Sequence, residues 1–314
     1  MQTLVSLNYS RFSYLVSSPK SLVVPRSNSN PILLKNHPIH INLRNNCSNY
    51  FAPTITCAQN GDEKFDSKKE EEYYTKIVFQ PEGSTIPKHI AISLDGNRRW
   101  LKLHGLDLDY RPFFQAHMRF IDYCLKWKVT TATNYIYRIG NMLLRSEKAN
   151  DLIMGQFERF LEEGLEKFKR LGVKVSVVGE EWMLTQSCQA SIKKVEEATK
   201  NNTNLDLMIL MCYTSQKDIV DATKKICKQV KEGKMELEDV NEDLFGQQLS
   251  ICGSRPPVDL MIRTGGQVRI GMFLGWEVPH VELYFTDTNA PDFGEDLFND
   301  ALKSFQQRGR WFGK

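Results

Sequence analysis

His89-Ile-Ala-Ile-Ser-Leu-Asp-Gly-Asn-Arg-Arg-Trp100 is the stretch on which the reading of this chain turns. A short apolar run, Lys88 to Leu94, stops on Asp95, turns on Gly96-Asn97 and meets Arg98, Arg99 and Trp100. Such a run is a buried strand, and a glycine lets the chain turn sharply where the strand ends. A carboxylate beside guanidiniums at that turn has the groups needed to hold a metal-bound diphosphate. Hard divalent cations take oxygen ligands, and guanidiniums fork onto phosphate oxygens.

Outward from this stretch the apolar pattern alternates between strand and helix. Phe113 to Trp127 reads as a helix and Val129 to Ile139 as a second strand. Leu152, Ile153, Phe157, Phe160, Leu161, Leu165 and Phe168 recur at three- and four-residue spacing, which predicts a long helix that Gly172 stops. Val173–Gly179 reads as a strand, Trp182–Thr199 as a helix and Leu205–Tyr213 as a strand. Helices follow over Gln216–Glu232 and Glu238–Leu249, then strands over Val258–Arg263 and His280–Phe285, and a closing helix over Glu295–Gln307. Alternation of this kind predicts a single α/β domain: a central, mostly parallel sheet of about six strands surrounded by helices. The aromatic stripe of the long helix is ordinary core by itself, and it becomes a ligand wall only if the ligand is a hydrocarbon.

Charge and composition narrow the function. The formal net charge is +3, but residues 1–57 hold five cations and no acid, which leaves −2 on the remainder. That excludes a nucleic-acid binder on bulk charge, so phosphate recognition must come from local clustering. No apolar run reaches the roughly 18 residues of a membrane span. The seven cysteines are scattered and form no Cys-x-x-Cys pair, so neither a disulfide framework nor a zinc site is expected. Residues 1–57 are rich in Ser and Asn, acid-free and without a compact apolar segment, the composition of a plastid transit peptide. Ile55-Thr56-Cys57-Ala58 reads as its processing site, 58–85 as an acidic, lysine-rich linker, and 86–314 as the catalytic domain.

A second cluster, Asp259-Leu-Met-Ile-Arg-Thr-Gly-Gly-Gln-Val-Arg269, ends a strand on Arg263, turns through two glycines and returns Arg269. The glycines would let backbone N–H groups approach an anion, and the arginines would fork onto its oxygens. A third element, His280-Val-Glu-Leu-Tyr-Phe-Thr-Asp287, carries Glu282 among apolar neighbours, where a carboxylate needs an arginine or a metal. In open α/β sheets ligands gather beyond the carboxyl ends of the strands.

HIAISLDGNRRW, DLMIRTGGQVR, FLGW and ELYFTDTNAPDFGEDL, in this order over about residues 86–314, resemble the signatures of the cis-prenyltransferases. Within that undecaprenyl-diphosphate-synthase-like family, the plant plastidial short-chain members, such as the neryl and lavandulyl diphosphate synthases, are nearest in character. The resemblance implies a hydrophobic tunnel, a homodimer, Mg²⁺ as cofactor, isoprenyl diphosphates as substrates and residence in the plastid stroma. Carried over by position, Asp95 and Asn97 are the catalytic candidates, and Asp95 and Glu282 the metal ligands, Glu282 across the partner's contacts. Gly96, Arg99, Trp100, Arg111, His117, Arg145, Arg263, Arg269 and Gly271 are the substrate-binding candidates.

The departures concentrate at the second diphosphate. The family's Ser-Asn reads Gly271-Met272, the acid between the arginines is Gln267, and Trp-Gln reads Trp276-Glu277. Elsewhere Arg138-Ile-Gly-Asn-Met142 replaces a Ser-x-Glu-Asn-Trp stretch, and the last family motif reads Arg310-Trp-Phe-Gly313. A hydroxyl lost beside a charged partner removes about 1.5–3 kcal/mol. The expectation is therefore a short-chain synthase that takes dimethylallyl diphosphate to a C10 product, with head-to-middle coupling of two dimethylallyl diphosphates as one route. Regular cis coupling with isopentenyl diphosphate and a non-catalytic partner subunit are the alternatives, and the retained Asp95 favours an enzyme.

Overall fold

The computed structural model describes residues 85–309 apart from 252 and 254. The expected transit peptide over 1–57, nearly all of the expected linker and the Arg310–Gly313 stretch lie outside the described residues. Six strands form one parallel sheet in the order β3-β4-β2-β1-β5-β6. They are β1 (His89–Ser93), β2 (Thr131–Arg138), β3 (Val173–Val178), β4 (Leu205–Tyr213), β5 (Leu260–Arg263) and β6 (Glu282–Phe285). The helices are α1 (Asn97–Leu103), α2 (Arg111–Lys126), α3 (Ile139–Leu144), α4 (Glu147–Arg170), α5 (Gln186–Thr199), α6 (Ser215–Lys231), α7 (Glu242–Gln248) and α8 (Glu295–Gln306).

The expected α/β domain with six strands is what forms. β1 runs through the middle of the sheet, so Ile90, Ala91 and Ile92 are fully buried, and the apolar run needs no polar alternation. One sheet face carries Ile90, Ile92, Ile136, Ile209 and Ile262 into a core shared with Phe120, Phe157, Phe168 and Phe298 of the helices. The other carries Ala91, Met208, Leu210 and Met261 against Ile251, Phe273 and Leu274. The stripe of α4 faces α2 and α5, and Gly172, at φ +67°, closes that helix as its position predicts.

Two short helices escaped the periodicity. α1 has only Asn97 and Leu101 buried, and α3 has no buried residue, its Leu143 and Leu144 standing in solvent. Neither offers an apolar stripe to read. The strand expected over His280–Phe285 begins only at Glu282, because Val278–His280 makes a single helical turn around Pro279. The parallel register sets Ser93 beside Arg263, which brings the two arginine-bearing turns together at one end of the sheet.

Candidate active site

The turn after β1 is held by its backbone before any side chain reaches a ligand. Asp95 N–H donates to Thr264 Oγ1 and the Thr264 hydroxyl donates to Asp95 O, both at 2.8 Å. Ala290 N–H reaches the same carbonyl at 2.8 Å. Gly96, at φ +106°, lies where a Cβ would stand 2.3 Å from Asn289 Oδ1, so both its conformation and its space demand glycine. Gly265, at φ +81°, would put a Cβ 2.5 Å from Arg99 Nη2 and 2.9 Å from the Asp95 carbonyl oxygen.

This corrects the expected use of the paired glycines. Their N–H groups are engaged inside the protein, Gly265 with Thr288 O at 2.7 Å and Gly266 with Thr286 O at 2.9 Å. They serve close approach between the two turns, and the donors for an anion are side chains.

Those side chains line a cavity of about 310 Å³ at the carboxyl ends of β1, β2 and β5. Its wall carries Arg98, Arg99, Arg138, Arg145, Arg263 and Arg269 against a single carboxylate, Asp95. Asp95 stands between two of them, 3.2 Å from Arg99 and 3.3 Å from Arg263. Arg263, nearly buried, donates from Nη2 to Asp95 and from Nη1 to the carbonyl of Arg269, while its Nε has no partner among the described residues. Gly271, at φ +78°, packs 3.3 Å from the same Nη1 as measured from a would-be Cβ. Asn97 Nδ2 donates to Asp109 O at 2.7 Å, and its buried Oδ1 has no partner among the described residues. Buried polar atoms without partners are costly and belong to sites that await a ligand or water more often than to finished cores.

The opposite wall is apolar. Leu94, Phe113, Ile136 and Ile153 line it together with the rings of Tyr110, Tyr135 and Tyr137. Phe113 packs edge-on against Phe114, which meets Phe157 and Phe160, and Phe160 meets Phe168. These phenylalanines are buried and pack between α2 and α4.

Four expected site residues do not line the cavity. The Trp100 indole donates to Asp292 and stacks on His104, so it braces α1 from outside. Arg111 is exposed at the start of α2 and paired with Asp109 at 2.7 Å. His117 is completely buried against Phe113 and Phe114, neither ring nitrogen has a partner among the described residues, and burial lowers its pKa to about 3. It is a neutral core residue. Glu282 opens β6 opposite Leu260, about 10 Å down the sheet from Arg263 at the usual strand rise, and its carboxylate pairs with Arg308 at 2.6 Å. Within one chain it does not converge on Asp95, because a parallel strand delivers its first residue to the wrong end.

Other residues were missed. Arg98 and Arg138 were quoted in their motifs but not chosen, although Arg138 ends β2 where ligands gather. Tyr110, the N-cap of α2, had no signal except its place ahead of a helical run. Thr264 is buried and purely structural, and nothing in the letters marked it as the clamp on Asp95.

A cationic pocket backed by an aromatic wall, at the strand ends of a parallel sheet, has the groups to hold a phosphorylated hydrocarbon. The family model described as putative undecaprenyl diphosphate synthase matches residues 93–313, and the chain belongs to that cis-prenyltransferase family; it transfers prenyl groups. It is 42% identical over 242 residues to a chloroplastic (2Z,6Z)-farnesyl diphosphate synthase of Solanum lycopersicum, covering 76% of this chain and 83% of that one. It is 40% identical over 231 residues to a chloroplastic nerylneryl diphosphate synthase of the same plant, with 73% and 71% covered. The crystal structure of lavandulyl diphosphate synthase from Lavandula x intermedia in complex with dimethylallyl diphosphate matches with TM-score 0.69 and 29% identity, over 73% of this chain and 98% of that one.

Proposed function

We propose that this protein is a short-chain cis-prenyl diphosphate synthase that ionises dimethylallyl diphosphate and joins it to a second C5 diphosphate, giving a C10 product. The observation that carries the reading is one cavity whose lining joins six guanidiniums and one carboxylate to apolar side chains such as Phe113 and Ile153. Its volume is at the low end of the roughly 300–1,000 Å³ typical of small-molecule sites, which suits a short hydrocarbon.

Mg²⁺ fits the donor set, because it binds through one or two carboxylates together with substrate phosphates. Asp95, half exposed on the wall, is the carboxylate that would hold it. Bound there, the ion supplies Lewis-acid stabilisation of the diphosphate leaving group. Glu282 joins such a site only from a second copy of the chain, so the homodimer remains part of the proposal. Among the described residues no cluster of three or more His, Cys, Asp or Glu could hold a metal, which leaves the remaining ligands to substrate oxygens.

The protein groups account for the rest. Arg99 and the surrounding guanidiniums bind the allylic diphosphate and stabilise the charge it gains as the C–O bond breaks. Asn97 presents an amide oxygen without a donor near the carbon that becomes cationic. Arg263 and Arg269 hold the second diphosphate, and its alkene attacks the allylic carbon. The apolar wall keeps water from the cation.

Irregular head-to-middle coupling is favoured as a second reading by one observation. Gly271 and Met272 line the cavity beside Arg269, so a thioether stands where a polar pair would select isopentenyl diphosphate. The composition of residues 1–57 and the chloroplastic relatives support a place in the plastid stroma.

The test incubates the full chain with Mg²⁺ and dimethylallyl diphosphate, with and without isopentenyl diphosphate, then dephosphorylates and separates the alcohols by gas chromatography. Lavandulol from dimethylallyl diphosphate alone supports the irregular route, and nerol from the mixture the regular one. Absence of any new prenyl alcohol in both would sink the proposal.

A further inference from the structure

The sequence pointed to no role for Tyr110, yet the fold gives it a place on the cavity wall. Its ring is 3% exposed, and as N-cap of α2 its carbonyl accepts the N–H of Phe114 at 3.0 Å, so the side chain is fixed from its base. The phenolic oxygen accepts a hydrogen bond from Arg145 Nη1 at 2.8 Å. Arg145, the C-cap of α3, is itself held, with its guanidinium 4.9 Å from the centre of the Tyr137 ring. Tyr137 in turn donates to Asn150 Oδ1 at 2.7 Å, and Asn150 Nδ2 donates to the carbonyl of Met142 in α3. The chain Met142–Asn150–Tyr137–Arg145–Tyr110 therefore ends in a hydroxyl.

Arg145 has only protons to give, so the phenol's own proton is directed elsewhere. Among the described residues Arg145 is its only hydrogen-bond partner. The guanidinium polarises the O–H it touches and strengthens it as a donor. What lies in front of it is the cavity that the other arginines line.

We infer that Tyr110 is a catalytic residue that donates its phenolic hydrogen bond to the diphosphate oxygen released from the allylic carbon. The inference rests on the prenyl-transfer reading above. As the C–O bond breaks, both electrons go to the diphosphate oxygen, and that oxygen accepts the Tyr110 O–H. The proton stays on tyrosine, so no acid is consumed and no covalent bond forms to the enzyme. Tyr110 and Arg145 then act as one donor pair, and Asp109–Tyr110 is held at the right height by Asn97 through the carbonyl of Asp109.

The experiment compares Tyr110→Phe with the wild type in the full chain, with Asp95→Ala run in the same assay. Steady-state kinetics with dimethylallyl diphosphate and Mg²⁺ are combined with calorimetric titration of inorganic diphosphate. Removing one donor from such a site costs roughly tenfold to a hundredfold in kcat, with KM changed about threefold or less. Inorganic diphosphate should bind about tenfold more weakly, with the thermal midpoint and the product alcohol unchanged. A variant within twofold of wild type in either kcat or diphosphate affinity would overturn the inference, while inactivity of Asp95→Ala alone would leave prenyl transfer standing. If the wild type makes no product, the function fails separately, and an unchanged diphosphate affinity in Tyr110→Phe still refutes the contact.

Discussion

His117→Leu isolates one buried group whose cost depends on pH. The ring is wholly buried, both nitrogens lack partners, and its pKa falls from 6.5 to about 3 through burial. Leucine has nearly the same volume and leaves no polar atom in the slab between Phe113 and Phe114. At pH 8 the histidine is neutral whether folded or unfolded, so only the unpartnered nitrogens matter. Removing them should stabilise the fold by about 1–3 kcal/mol. Below pH 6.5 the unfolded chain takes up a proton that the folded chain refuses, so stability falls with pH. From pH 8 to pH 5 this single group removes about 2 kcal/mol, the free energy of about 1.5 pKa units of uncompensated titration. Urea unfolding of both proteins at the two pH values reads the difference, because carboxylates and the buried His89 change alike in each. The wild type should lose about 2 kcal/mol more than the variant. Equal losses, or a leucine variant that is stable but inactive, would refute the placement of His117 as a neutral core residue.

Three further outcomes follow from the cavity. Gly265→Ala must carry a Cβ at φ +81°, 2.9 Å from the Asp95 carbonyl, so it should lose about 1–2 kcal/mol of stability and displace Arg99, read as a lowered melting temperature and reduced turnover. Arg263→Lys cannot reach Asp95 and the Arg269 carbonyl at once, and kcat/KM should fall about tenfold to a hundredfold, the worth of one charge-assisted hydrogen bond. Phe114→Ala, which opens the aromatic packing behind Phe113, should lengthen the product beyond C10 in the presence of isopentenyl diphosphate; an unchanged chain length would place the stop elsewhere.

The sheet was legible because a buried parallel strand needs an apolar run, and Ile90–Ile92 and Leu207–Tyr213 supply one. Asp95, Arg99, Arg263 and Arg269 line one cavity, as their types and spacing suggest, and Asn97, chosen by the resemblance, lines it with them. What the letters could not carry was direction. Glu282 has the chemistry of a metal ligand, and its place at the start of β6, opposite Leu260, separates it from the Asp95 of its own chain. Trp100 belongs to the right motif, yet the turn of α1 takes its ring to Asp292. His117 lies seven residues into a helix whose buried face is decided by packing, and Tyr110 gained its role only because α2 starts where it does. The paired glycines were assigned to an anion because a sequence does not show which carbonyls already claim their N–H groups.

The central position of β1 has a consequence for how the molecule is made. One edge of β1 pairs with β2, which follows it closely, but the other waits for β5, and the Thr264 clamp on Asp95 is 169 residues away. During synthesis an apolar strand with an open edge must persist until nearly the whole domain has emerged. Contacts of such range slow folding and leave a template for pairing between molecules. A chain cut short before β5 would therefore not be a weaker enzyme but an aggregating one, and its half-formed sheet would be a natural client for chaperones.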